Sequence, residues 1–215
     1  MNNCIELILY WKMKIITTHK MTLVFATNNQ NKIKEIKTFI PKFIKILSLQ
    51  DIGCFEEIEE TGKTISENAF IKSSYIKNNY GYNCFSDDSG LEIDKLGGEP
   101  GVFSARYAGI PVDSDKNIDL ILKKMKSIIN RSAQFRTCIS LITENKSQLF
   151  EGVVKGEIID SPRGSAGFGY DSIFKPDNLN KTFAELSLKK KNEISHRGIA
   201  LKKLIKYLIK LNILI

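Results

Sequence analysis

The chain has 215 residues, 42% of them hydrophobic and 26% charged, with 32 Lys and Arg against 24 Asp and Glu for a formal net charge of +8. That is a globular balance, large enough for one α/β domain or one domain of two lobes and too small for two ordinary domains; no apolar run reaches the about 18–20 residues of a membrane-spanning helix, so no membrane partner is expected. The four cysteines Cys4, Cys54, Cys84 and Cys138 are far apart and form no C-x-x-C pair, and only two histidines accompany them, which argues against a zinc finger or a disulfide framework and for a reduced cytoplasmic compartment. Most of the excess charge lies after Leu186, in Lys189, Lys190, Lys191, Arg197, Lys202, Lys203, Lys206 and Lys210 against Glu193 alone. Without interleaved aromatics or a reader motif, this tail reads as a solvated helix face with a few phosphate ligands, and no specific nucleic-acid partner is expected.

Residues 1–20 hold an apolar stretch that is too short, and lacks the cleavage site, for a signal peptide; they read as an extension before Met21, and 21–215 as a single domain. Leu23 to Ala26 is a strand, "TNNQNK" a polar turn, and Ile33, Ile36 and Ile40 recur at helical spacing. Thr64 with Glu67 forms a capping box that opens a helix with Ala69 and Ile76 inward. Cys84 and Phe85 form a short strand running into "SDDSG", and "LGGEPGVFSARYAG" is too rich in Gly and Pro for regular structure. Asp113 or Ser114 caps the next helix, with Ile118, Ile121, Leu122 and Met125 inward. Phe135 to Thr143 and Leu149 to Val154 form a hairpin around "ENKS", and "SPRGSAGFGYDS" is a second Gly-rich loop. A last helix turns Leu201, Leu204, Ile205 and Leu208 inward and shows Lys202, Lys206 and Lys210 to solvent.

Four clusters carry possible chemistry, and all of them are expected in loops at the ends of elements, where open α/β folds gather their ligands. Thr27, Asn28, Asn29, Gln30, Asn31 and Lys32 lead a strand into a helix N-terminus, whose free N–H groups and dipole suit phosphate, with Lys32 as a mobile positive charge. In "SDDSG", two adjacent carboxylates, Asp87 and Asp88, are costly to bring together without a cation or solvent, and Mg²⁺ takes one or two carboxylates plus substrate phosphates. "EETGKT" adds Glu59 and Glu60 ahead of the helix that carries Lys72. Phe168 and Tyr170 of "FGYD" offer a flat surface for a base, Asp171 an acceptor, and His196 and Arg197 of "SHRG" donors to a base oxygen.

In this order the clusters resemble the inosine triphosphate pyrophosphatase family. The resemblance runs from about Leu23 to Leu204 through "ATNNQNKIKEI", "EETGKTISENAFIKS", "DDSGLEIDKLGGEPGVFSARYAG", "GFGYDSIF", "KTFAEL" and "KNEISHRGIAL". It implies an elongated α/β fold with a mixed central sheet, flanking helices and two lobes around a cleft, typically as a homodimer. It also implies Mg²⁺-dependent hydrolysis of ITP, dITP and XTP between the α- and β-phosphates. Position by position, Thr27 to Lys32 look like the triphosphate loop, and Lys72 and Lys191 like further phosphate ligands. Asp88 looks like the general base and metal-linked acid, with Ser89 beside it on the substrate. Glu60 or Glu59 looks like a metal ligand. Phe168, Gly169, Tyr170 and Asp171 look like the base platform, and His196 with Arg197 like the base-reading pair. Nearby cations are expected to lower the pKa of Asp88 and keep it ionised. Asn28 stands where many members have Gly, in a turn for which Asn tolerates positive φ. Ala166 and Ser172 replace a common Gly and Pro near the platform.

Overall fold

A computed structural model describes residues 21–144 and 146–213. The extension read at 1–20, with Cys4, lies outside them. The described residues form one mixed sheet of six strands: β1 Met21–Phe25, β2 Ile44–Leu47, β3 Cys84–Ile93, β4 Ser132–Ile142, β5 Ser147–Ile158 and β6 Phe174–Pro176, in the order β2-β1-β3-β4-β5-β6. β1 runs parallel to β2 and β3, whereas β3, β4, β5 and β6 are antiparallel in succession. Five helices flank it: α1 Gln30–Lys37, α2 Ile65–Tyr80, α3 Ser114–Lys124, α4 Leu188–Ile194 and α5 His196–Ile213.

Local chemistry sets the helix starts. Asn29 caps α1, accepting from the N–H groups of Asn31 and Lys32, and Thr64 and Glu67 form the reciprocal box on α2. Of the two caps read before α3, Asp113 serves. Ser195 is extended, stops α4, and accepts from Gly198 N–H at the first turn of α5. Two main apolar clusters give the two lobes. In the first, Leu23, Phe25, Phe85, Ile139 and Leu141 of the sheet meet Ile36 of α1 and Ala200, Leu201, Leu204 and Leu208 of α5, and Phe25 stacks on Phe85 at 4.7 Å. In the second, Leu91, Ile93, Phe135 and Ile158 meet Ile118 and Ile121 of α3 and Met125 at its end, with Phe174 and Phe183. Fully burying side chains of this size contributes about 1.5–3 kcal/mol each.

The strand expected to stop at Phe85 continues to Ile93, so Asp87, Asp88 and Ser89 lie inside β3, paired with Ile139, Cys138 and Thr137 of β4, and not in a terminal turn. The ladder to β4 and burial of alternate faces outweigh the poor strand propensity of Asp and Gly. α5 then lies flush on the sheet at Gly152 of β5, where an added Cβ would stand 2.0 Å from the His196 carbonyl oxygen and 2.7 Å from Ala200 N. Both obstacles are backbone, so neither can swing aside. We expect Gly152→Ala to lower stability by at least about 1–3 kcal/mol, the usual cost of overpacking, in urea unfolding.

Candidate active site

β1 pairs with β3 only through Val24 and Phe25, opposite Cys84 and Phe85. Beyond Phe85 the flank of β3 that faced β1 is open, and the cleft forms there, where the chain leaves β1 toward α1. Lys32 Nζ fills part of the opening, donating to the Asp87 carbonyl at 3.2 Å and forming an ion pair with its carboxylate at 3.1 Å. Lys32 is thus held rather than mobile. The α1 N-terminus is also less free than its sequence suggests, because Asn29 Oδ1 already takes the N–H groups of Asn31 and Lys32. Asn28 does not need a left-handed backbone: among the described residues, only Ser127 and Asn178 have positive φ outside glycine.

Because side chains alternate along a strand, the adjacent aspartates diverge and do not crowd one another. Asp88 and Ser86 face α2, where Ser86 Oγ donates to the Ala69 carbonyl and Lys72 Nζ lies 3.7 Å from Asp88. Asp87 and Ser89 face α5, where Arg197 donates Nε–H to Asp87 at 2.9 Å and Nη2–H to Ser89 Oγ at 3.0 Å. Burial pushes both carboxyls upward. For Asp87, Lys32 and Arg197 outweigh it and hold the group well below the ordinary range; for Asp88, burial outweighs Lys72 and Lys32, so its pKa is raised and not lowered as the sequence led us to expect.

From Asp87 a chain of alternating charges crosses the interior. Arg197 Nη1 donates to Glu35 of α1, Lys191 Nζ of α4 donates to Glu35 at 2.8 Å, and the same ammonium donates to Asp171 at 2.6 Å. The side chains of Glu35, Asp171, Lys191 and Arg197 are almost wholly buried. Lys191, expected on the phosphates, lines the cavity while paired with Glu35 and Asp171 and lies 4.8 Å over the Phe168 ring. Arg197 likewise has much of its donor set engaged by protein. Asp171 accepts from Phe168 N–H at 2.9 Å, and Tyr170 is a core residue at the wall, its hydroxyl donating to the Ser104 carbonyl at 2.8 Å. His196 stacks on Phe135 at 4.6 Å, and its buried Nδ1 has no partner. Burial, with Arg197 and Lys191 nearby, drives its pKa well below the ordinary value, so the imidazole is neutral.

The acidic segment before α2 is laid along that helix. Tyr75 and Tyr80 donate to Glu56 at 2.8 and 2.6 Å, pulling its pKa down to about 2. Lys72 donates to Glu60 at 2.5 Å, Gly62 N–H to Asn68 Oδ1 at 2.7 Å, and the N–H groups of Lys63 and Thr64 to Glu67. Glu35, Glu56 and Asn68 carried no signal as single residues in the sequence.

All of this surrounds one cavity of about 950 Å³. Thr27, Asn28, Asn29, Asn31, Lys32, Glu59, Glu60, Lys72, Asp88 and Ser89 line one part, and Phe168, Gly169, Tyr170, Asp171, Lys191, His196 and Arg197 another; Gln30 is not among the lining residues. Charges in the wall balance: Lys32, Lys72, Arg106, Lys191 and Arg197 stand against Glu57, Glu59, Glu60, Asp88 and Asp171. A buried Asp88 Oδ2 without a partner, linked through Lys72 to Glu60 and sharing the cavity with Glu59, fits a hard divalent cation. Among the described residues no three His, Cys, Asp or Glu side chains form a metal cage, so such a cation would need substrate oxygens to complete its shell.

The model of the Ham1 family matches residues 23–207. The chain belongs to the Ham1 family. It is 55% identical over 86% of its length to the dITP/XTP pyrophosphatase of Flavobacterium johnsoniae, covering 96% of that protein, and 52% identical over 88% to that of Christiangramia forsetii, covering all 100%. Among solved structures, the Ham1 protein of Staphylococcus aureus superposes with a TM-score of 0.82 at 39% identity, covering 88% of this chain and 99% of that one. The mixed sheet and two lobes expected from the resemblance are thus those of Ham1 proteins. Among the described residues, no helix is long and apolar enough to cross a membrane.

The neutral histidine of this Ham1 protein yields a pH test. A His whose folded pKa is depressed contributes stability that is present above its unfolded value of about 6.5 and is lost as pH falls. Below about pH 6.5 we expect wild type to lose stability relative to His196→Phe, by up to about 1.4 kcal/mol per pH unit, in urea titrations across pH 5–7.5.

Proposed function

We propose that the protein hydrolyses ITP, dITP and XTP to the monophosphate and pyrophosphate, with Mg²⁺, as a cytoplasmic homodimer. The observation that carries this is the cavity itself, in which a carboxylate and lysine end is continuous with an aromatic, histidine and arginine end. The curated relatives of matching length carry the name dITP/XTP pyrophosphatase, which supports the substrate class. The homodimer and the compartment rest on the family likeness and on the three described cysteines, all free and buried.

Asp88 is the general base. A carboxyl raised by burial is a stronger proton acceptor than an ordinary one. It takes one proton from a water whose oxygen attacks the α-phosphorus; the bond to the bridging oxygen breaks and pyrophosphate leaves. Asp88 with Glu60 or Glu59 would hold Mg²⁺, which, when bound, supplies the positive charge that the balanced wall lacks and stabilises the leaving pyrophosphate. Thr27, Asn28, Asn29, Asn31 and Lys32 position the phosphates with Lys72, and Ser89 sits beside them. At the other end Phe168 and Tyr170 flank the base. Neutral His196 and the remaining N–H groups of Arg197 read its 6-oxygen, so adenine, with an amine there, leaves buried donors unpaired.

Asp88→Asn should fold with a melting temperature at or above wild type, since it removes a buried charge, and still bind nucleotide by calorimetry. Its pyrophosphate release should fall by about 10²–10⁴; near-normal turnover would remove Asp88 from the role. For wild type, pyrophosphate release from ITP and XTP should exceed that from ATP, GTP, dUTP and CTP by about 10² in kcat/KM. Comparable values for dUTP or CTP would show a broader pyrophosphatase instead. Arg197→Ala is a poor probe of specificity, because it leaves buried Asp87 with Lys32 alone and buried Glu35 with Lys191 alone.

A further inference from the structure

Four of the five cations lining the cleft have close acidic partners: Lys32 has Asp87, Lys72 has Glu60, Lys191 has Glu35 and Asp171, and Arg197 has Asp87 and Glu35. Arg106 differs. Its nearest carboxylate oxygen is Glu60 Oε2 at 4.0 Å, its side chain is 34% exposed, and among the described residues its guanidinium donates no hydrogen bond. The backbone around it is nevertheless tied on both sides. Arg106 N–H donates to the Phe103 carbonyl and Gly109 N–H to the Arg106 carbonyl, each at 2.9 Å. Asn117 of α3 donates to the Ala105 carbonyl at 2.9 Å and accepts from Ala108 N–H at 2.6 Å, and Tyr170 holds the Ser104 carbonyl. The guanidinium lies over the Phe103 ring, 5.5 Å from its centroid, with its N–H groups still to be accepted. A fixed backbone carrying such a guanidinium in the cleft wall is preorganised for an anion: little backbone order remains to be gained on binding, and the planar fork matches phosphate oxygens.

We propose that Arg106 is a substrate-contacting residue that grips the pyrophosphate half of the triphosphate from beside Glu60, across that carboxylate from Lys72 of α2. Its place beside Glu60, at the cation end of the cleft, assigns it to the β- and γ-phosphates, leaving the α-phosphate to Lys32 and the α1 turn. The inference rests on the reading of the cleft as a triphosphate site. It adds a contact from the "SARYAG" segment, between β3 and α3.

The test compares wild type with Arg106→Ala, using ITP as substrate and inorganic pyrophosphate, tripolyphosphate and IMP as inhibitors. The half-buried side chain, with no hydrogen bond to lose, predicts a melting temperature within about 2 °C of wild type. A charge-assisted contact predicts a rise of about ten- to a hundredfold in the KM for ITP and in the inhibition constants of pyrophosphate and tripolyphosphate, while that of IMP moves less than about threefold. Equal losses for IMP and pyrophosphate, or values for ITP and pyrophosphate within about twofold of wild type, would overturn the assignment. A wild-type protein that neither cleaves ITP nor binds tripolyphosphate would overturn the reading of the cleft as well, so the two failures are distinct.

Discussion

Six buried or nearly buried charges, Lys32, Asp87, Arg197, Glu35, Lys191 and Asp171, run in alternating sign from the first helical turn to the aromatic wall. They come from five places in the chain: α1 supplies two, and β3, the loop before β6, α4 and α5 supply the rest. Desolvating so many ions gains little net stability, because coulombic attraction about offsets the loss of hydration. What the chain provides is position. Removing a member costs its neighbours a buried partner: without Asp87 the Lys32 ammonium loses its paired carboxylate, and without Lys191 Asp171 loses its paired cation, each at a cost of about 3–5 kcal/mol, which ties the elements to one another. The two ends of the cavity are therefore mechanically one object.

That arrangement works because β3 is longer than β1. An open flank beyond Phe85 exposes backbone and side chains on both faces of a rigid strand, and alternation sends Asp88 toward α2 and Asp87 toward α5. One aspartate is consumed in structure, held ionised by Lys32 and Arg197. The other is left half-satisfied and raised, as suits a group that acts on substrate. Helix α2 acts as a template on its side of the cleft, since Glu67, Asn68, Lys72, Tyr75 and Tyr80 hold successive points of the acidic segment. Gly152 allows the matching approach of α5 on the other side.

The sequence by itself determined most local features. The Thr64 box, a cap at Asp113 or Ser114, the inward faces of α2, α3 and α5, the β4–β5 hairpin and the lysine stripe follow from nearest-neighbour chemistry and periodicity, and the structure has them, with Asp113 as the cap. The motif order also sufficed for the family, because residues that must meet at one opening leave their types at the ends of successive elements. Short β2 and β6 escaped notice, since strands of four and three residues have too little periodicity to stand out.

Only the tertiary structure decided which charges are free. Lys32, Lys191 and Arg197 look alike as candidate phosphate or base ligands in the sequence, yet each is bound to a carboxylate from a distant segment, at sequence separations of 55, 156 and 162 residues for Asp87 and Glu35. The direction of the Asp88 shift depended in the same way on burial by β4 and α2, and the availability of Arg106 on a loop pinned by Asn117. The physical reason is that a side chain's charge is written in its own residue, whereas its solvation and its partners belong to whatever the fold brings beside it.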